Sequence, residues 1–573
     1  MSFRPNVLSS LVAAALVAMA SQASAQVFNG NLVQGVSSSQ SSYIKGATGY
    51  DITSIITAGD AVGGYRMSGL PDGLGAFDNG NGTFTVLMNH EIGANAGIAR
   101  AHGGTGAFVS SWVIDKATLQ VKSGGDLIQR VYGWDAATQA TGAQVTGAAN
   151  LSFQRFCSAD LAAASAYTYT DTSGKSYGTS SRIFLNGEEV GTSANSRAMA
   201  HVATGSDAGS SFVLGKFNPA TNGSGLAQYS AYENLAANPF SQLKTVVVGQ
   251  NDGGTGIASN AVAVYVGTKT DSGSAVDRAG LTNGVMKYVN VAGNASEIAD
   301  SNTRATNIAN GSRFTLSATA STTFSRPEDG AWDVRAGKQN VYYFVTTDRL
   351  DGTELTGGTQ VGATRLWRMT FDDIANPDAG GKLDILVDGS KMAGGVGNSR
   401  ANMFDNMTVN KDGTITMLED TGGADHNGKI WEYNLETGAV KIIAKSDTTR
   451  FGDVVNGAFT GPASGKTTPN GSTGYHTNDE ETSGIIDVTD IFDANGTTGK
   501  KYQLFVTQDH ASAAGLDAAG MLVGGNPAGI VEGGQLQLMV SDVVAAVPEP
   551  ETYALMLAGL GLVGFAARRK AQR

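Results

Sequence analysis

The chain has 573 residues, with 77 glycines, 11 prolines and a formal net charge of −12 at neutral pH. That charge excludes a binder of nucleic acid or of anionic membrane surface. A hydrophobic content of 41% with only 16% charged residues excludes a disordered chain and describes a turn-rich, exported β-protein.

Residues 1–25 read as a secretory signal peptide. Arg4 precedes the apolar stretch Leu8–Ala20, and Ala23-Ser24-Ala25 is a small-x-small cleavage site. Residues 26–50 are rich in Ser, Gly and Asn and form a leader strand or linker. From 51 to 545 no linker divides the chain. Asn340–Thr347, Leu366–Phe371 and Tyr502–Thr507 have the period-two pattern of strands. Between such segments stand turn pairs, Asn81-Gly82, Asp351-Gly352 and Asp412-Gly413. The stretch Lys429–Leu435 alternates, turns at Glu436–Gly438 and resumes, as outer hairpins of propeller blades do. The expected fold is therefore all-β, a β-propeller of six or more blades with loop insertions. A row of separate β-sandwich domains is the competing arrangement.

Near the C-terminus, Val547-Pro548-Glu549-Pro550-Glu551 is followed by an apolar run, Tyr553–Ala567, and by Arg568-Arg569-Lys570. This tripartite pattern over 547–573 resembles a PEP-CTERM sorting signal with an apolar sorting helix. The resemblance implies a Gram-negative bacterium and an exosortase as partner. It also implies only transient membrane contact, and delivery to the envelope surface or the extracellular matrix.

Three times a strand runs into glycine-flanked acids: Thr83–Met88 into Asn89-His90-Glu91, Ser181–Leu185 into Glu188-Glu189, and Thr414–Leu418 into Glu419-Asp420. More acids stand in Tyr232-Glu233, Asn251-Asp252, Arg326-Pro327-Glu328-Asp329 and Asn478-Asp479-Glu480-Glu481. Each alone is ordinary turn chemistry. Their recurrence at strand ends points to one crowded mouth, where mutual repulsion calls for a hard cation such as Ca²⁺. Cys157, the single cysteine, cannot form an internal disulfide. It is either a small buried hydrophobe or a metal ligand. Other chemistries lack their signatures. There is no phosphate-cradling loop of the full Gly-x-x-x-x-Gly-Lys-Ser/Thr spacing, no zinc-spaced histidine pair and no Gly-x-Ser-x-Gly strand-to-helix elbow.

Taken in order, these clusters resemble the PhoX-type alkaline phosphatases from about residue 60 to 540. The resemblance is carried by Asn89-His90-Glu91, Arg155-Phe156-Cys157-Ser158, Glu188-Glu189, Glu233-Asn234 and Asp252. It continues through Arg326-Pro327-Glu328, Phe404-Asp405-Asn406, Glu419-Asp420, Glu481-Thr482-Ser483-Gly484 and Gln508-Asp509-His510. It implies a calcium- and iron-dependent β-propeller that hydrolyses small phosphate esters. Cys157 would be a soft ligand to iron, and Glu328 and Glu481 ligands to iron or calcium. Glu91, Glu188, Glu189 and Asp252 would complete the calcium shell. Glu233, Asp329, Glu419 and Asp420 join them as acids of the mouth. Arg326 and Arg155 are the candidate catalytic residues, each able to hold a nonbridging phosphate oxygen bidentately. For Arg326 the plain alternative is an ion pair with its own carboxylate neighbours.

The chain departs from the family pattern at three places: Gly187 where many members have Cys, Tyr232 where His is frequent, and Asp329 where many have Trp. Two other functions compete. One is a non-catalytic, calcium-stabilised propeller that binds matrix polysaccharide or protein. The other is a propeller phosphodiesterase, phytase or lactonase with a similar calcium mouth.

Overall fold

The computed structural model describes residues 27–192, 195–300, 303–350, 360, 362–394, 399–422, 426–455, 458–460, 480–518 and 527–543. The expected signal peptide, the sorting tail with its expected apolar helix, the expected turn at Asp351-Gly352 and Asn478-Asp479 lie outside them. Among the described residues no helix is long and apolar enough to cross a membrane.

The described chain is all-β, with strands joined almost entirely by antiparallel hairpins. The period-two segments form strands where expected: Val341–Thr346, Arg365–Phe371 and Lys500–Ser512. The legible hairpin is Lys429–Asn434 paired with Val440–Ser446, and Gly438 in its turn has φ 72°, a value glycine reaches without steric cost. Inner strands such as Val341–Thr346 and Phe404–Val409 are buried along their whole length, the second of them with Asp405, Asn406 and Thr408 among its buried residues.

The strands group into six units in chain order. The first begins with Pro71–Asp78 and Thr83–His90. The second begins with an irregular segment, 156–160, bridged to Ile183–Gly187. The third and fourth begin with Tyr232–Ala237 and Pro327–Trp332. A shared outer strand, Ser312–Ser317, fuses them into one nine-stranded sheet, which curls until those two strands lie side by side. The fifth begins with Phe404–Val409 and the sixth with Glu480–Asp487.

Each unit packs its face on the next through a separate apolar cluster. Leu87 and Val109 meet Phe156 and Phe184 between the first and second units. Leu185 meets Leu235 and Val247 between the second and third, and Val248 meets Phe344 and Trp367 between the third and fourth. Val345 meets Phe404 and Met417 between the fourth and fifth, and Leu418 meets Phe505 between the fifth and sixth. Leu504 and Leu536 of the sixth then meet Leu74 and Phe84 of the first.

The leader is built into this arrangement. Ile44–Gly46 is an outer strand of the fifth unit, while Tyr50–Thr57 and Leu32–Gln34 are outer strands of the sixth. Ile44–Gly46 and Tyr50–Thr57 thus pair with strands that stand far later in the chain.

Candidate metal centre

One register governs the acids. In every unit a residue of the first strand faces a residue of the second: Pro71 and His90, Phe156 and Glu188, Tyr232 and Asn251, Pro327 and Thr346, Phe404 and Glu419, Glu480 and Asp509. The residues that follow the first-strand partners are Asp72, Cys157, Glu233, Glu328, Asp405 and Glu481. Those that follow the second-strand partners are Glu91, Glu189, Asp252, Thr347, Asp420 and His510. Because the strands are antiparallel, these two sets step away from each pair in opposite directions and make an inner and an outer tier.

The tiers converge. Donor atoms lie within 4.8 Å of one another in four overlapping triplets: Asp72, Glu91 and Cys157; Cys157, Glu189 and Glu233; Glu233, Glu328 and Asp405; Asp405, Asp420 and Glu481. Asp252 joins through Arg326, whose guanidinium sits 2.6 Å from Asp252 and 2.8 Å from Glu328. Arg155 bridges Glu91, at 3.0 Å, and Glu189. The Cys157 thiol lies 3.2 Å from Glu189 Oε2.

Four first strands enter through a non-glycine residue in the left-handed region: Leu70 (φ 47°), Arg155 (48°), Arg326 (56°) and Met403 (52°). Such a conformation costs about 1–2 kcal/mol per residue. It is held at Arg155 and Arg326 by the ion pairs above, and it turns both guanidinium forks onto the acids.

Burial raises the proton affinity of the inner acids, and their neighbours raise it further. Asp72 is pushed well up by desolvation and then by Glu91. Desolvation also lifts Glu233, with Glu189 next, and Glu328, with Asp252 next. Asp405 and Glu481 rise by burial and then by the charge of Asp420. Glu189 is raised to about 7, first by burial, against the opposing pull of Arg155. Burial and Glu233 push the Cys157 thiol up. Two guanidinium groups cannot neutralise eight carboxylates and a thiol, so the donor set fits bound cations: oxygen-rich as Ca²⁺ requires, with one soft sulfur that iron accepts.

Three expected ligands stand elsewhere, for one physical reason. Adjacent strand residues point to opposite faces, so only one member of each acidic doublet reaches the mouth. Glu188 turns away to Arg197, with Nη2 2.8 Å from Oε1, and accepts from Gln154 N at 3.1 Å. Glu419 is held by Trp431 Nε1 (2.8 Å), Asn402 N (3.1 Å) and His426 Nε2 (3.1 Å). Asp329 accepts from Met407 N (2.9 Å), Gly330 N (2.6 Å) and Asn234. The other members, Glu189, Asp420 and Glu328, are in the cluster.

Two members were not singled out from sequence as ligands. Asp72 sits in Pro71-Asp72-Gly73, which reads as a plain turn, and Asp405 in Phe404-Asp405-Asn406. The signal that finds both is a proline or aromatic residue just before the donor, as in Pro71-Asp72, Phe156-Cys157, Tyr232-Glu233, Pro327-Glu328 and Phe404-Asp405. Gly187 and Tyr232 also lie against each other. A Cβ on Gly187 would lie 2.5 Å from Tyr232 Cβ, so the space that a side chain at 187 would need is taken.

The PEP-CTERM protein-sorting motif matches residues 546–570. That motif indicates export and sorting to the surface or extracellular matrix of a Gram-negative bacterium, and it implies recognition by an exosortase. No curated protein matches the chain. Among solved structures, a candidate 6-phosphogluconolactonase from Bacteroides uniformis matches at 10% identity with a TM-score of 0.26, over 63% of this chain and 82% of that one. The Trypanosoma rangeli sialidase in complex with sialic acid matches at 10% identity with a TM-score of 0.28, over 85% of this chain and 56% of that one.

Proposed function

We propose that the six units are the blades of a six-bladed β-propeller, and that the protein is a surface-sorted, metal-dependent phosphomonoester hydrolase similar to the PhoX-type alkaline phosphatases. The observation that carries this reading is the unbroken run of four donor triplets, eight carboxylates and one thiol, with two guanidinium forks laid against it. Calcium is the principal cofactor, and iron the partner of Cys157. Bound cations supply charge neutralisation and an activated oxygen nucleophile.

The chain's own residues do the rest. The two tiers fix the cations' positions, since each donor stands directly after one member of a paired set of residues. With the carboxylates engaged by cations, Arg326 and Arg155 present their forks to the nonbridging oxygens of a phosphate monoester. Glu189 and Glu91 hold Arg155 at the edge of the mouth, where it is half exposed and open to substrate.

The test is hydrolysis of a chromogenic phosphomonoester at alkaline pH by the purified protein with added Ca²⁺. Turnover is expected to vanish with chelator and to fall at least about a hundredfold in Arg326→Ala. Turnover that survives Cys157→Ala rejects the iron–thiolate assignment. Calcium uptake without turnover removes the phosphatase reading and leaves a calcium-stabilised propeller that binds matrix polymer, a role that the sorting motif also suits.

A further inference from the structure

Two buried oxygens of this mouth have no hydrogen-bond partner among the described residues: Thr347 Oγ1 and Gln508 Oε1. Their residues are 1% and 0% exposed. A buried polar atom without a partner is a standing cost to the fold, so each calls for an occupant of the site.

Thr347 stands in the outer tier, and Gln508 pairs across the ladder with the inner-tier residue Glu481. Thr347 follows Thr346, the partner of Pro327, and so takes in the fourth unit the outer-tier place that Glu91, Glu189, Asp252 and Asp420 take in theirs. Its N–H donates to the carbonyls of Ser325 (3.1 Å) and Arg326 (3.0 Å), which seats it beside the fork that grips Asp252 and Glu328. Gln508 precedes Asp509 in the sixth unit, and its Nε2 donates to Asp72 (3.2 Å) and Glu91 (3.0 Å). Its amide is thus fixed against the thiol-bearing triplet with the carbonyl oxygen unspent.

Resting on the reading of this mouth as a cation site, we propose that Thr347 Oγ1 and Gln508 Oε1 are neutral ligands that complete the oxygen shells of hard divalent cations, Thr347 on the Glu328 side of the mouth and Gln508 on the side of Asp72 and Glu91. Ca²⁺ takes neutral oxygens alongside carboxylates. Neutral donors also raise the coordination number without adding charge to a set that already repels itself.

The proposal makes opposite predictions for the two states of one variant. Thr347→Val keeps the shape and deletes the oxygen. In chelator-treated protein it removes an unpartnered hydroxyl, and the unfolding midpoint is expected to rise by about 1–2 °C. In calcium titration by calorimetry its affinity is expected to fall at least about tenfold, and Thr347→Ser to restore it. Gln508→Glu is the second variant. It replaces an amide donor by a carboxylate between Asp72 and Glu91, so the metal-free midpoint falls while calcium affinity is kept or strengthened. Equal calcium affinity in wild type and Thr347→Val overturns the proposal, as does a Thr347→Val midpoint lowered alike with and without calcium. Wild-type protein that takes up no calcium refutes the underlying cation-site reading instead.

Discussion

At the scale of single residues, the mouth is decided by which member of each acidic doublet faces inward. Glu189, Glu328, Asp420 and Glu481 converge, while Glu188, Asp329, Glu419 and Glu480 are held by backbone amides, Arg197 or other buried donors. Glu189, Glu328 and Glu481 hold their protons tightly, and this sets a pH dependence. A carboxyl whose folded-state affinity is raised contributes stability below its unfolded pKa, near 4, and loses it as pH rises through the folded value. For Glu189 that value is about 7, and ionising it in place costs about 3 kcal/mol. Asp72, Glu233, Glu328, Asp405 and Glu481 shift in the same direction. Chelator-treated protein is therefore expected to lose at least about 5 °C in unfolding midpoint between pH 5 and pH 8. Saturating Ca²⁺ should flatten that slope, because the cation then replaces the protons. A metal-free midpoint that climbs over this range would contradict the cluster.

At the scale of elements, strand register converts a scattered set of acids into two tiers. The strand ends were legible in sequence, since Thr83–Met88 and Thr414–Leu418 run visibly into their acids. The doublets were legible only as doublets, because both members are acidic and period two alone does not say which faces the mouth. Asp72 and Asp405 were hidden because a lone Asp beside Gly or Asn reads as a turn until its opposite strand is known.

The contact between the second and third units is a further consequence of register. Gly187 has no room for a Cβ, which would meet Tyr232 Cβ at 2.5 Å and Tyr232 O at 3.1 Å. Tyr232 in turn is anchored by its hydroxyl, which donates to Phe217 O at 2.6 Å. Gly187→Ala is expected to lower stability by about 1–3 kcal/mol in urea unfolding. Gly187→Cys should do the same even when combined with Tyr232→His, because the clash is with Cβ and not with the ring. An unchanged midpoint in both would place the two units in a different register.

At the scale of the whole molecule, the sixth unit joins the two ends of the described chain. Tyr50–Thr57 pairs with Glu532–Asp542, so the arrangement closes on strands almost five hundred residues apart. Closure of that kind suits a site in which every unit contributes one inner-tier residue, since each donor's position depends on all six interfaces. The all-β class and the hairpin rhythm could be read from composition and period two. The order of packing could not, because it depends on pairings between the leader and the last strands that no local pattern announces. The motif at residues 546–570 sends the protein outward, and the mouth of clustered acids is what it carries there.

Elemental analysis of the purified full-length protein tests the central claim most directly. Two or more calcium or iron ions per chain are predicted, with iron lost in Cys157→Ala and total metal reduced in Glu233→Gln, since Glu233 is, like Cys157 and Asp405, shared by two donor triplets. A chain that carries neither metal, and takes up none after dialysis against both, would contradict it.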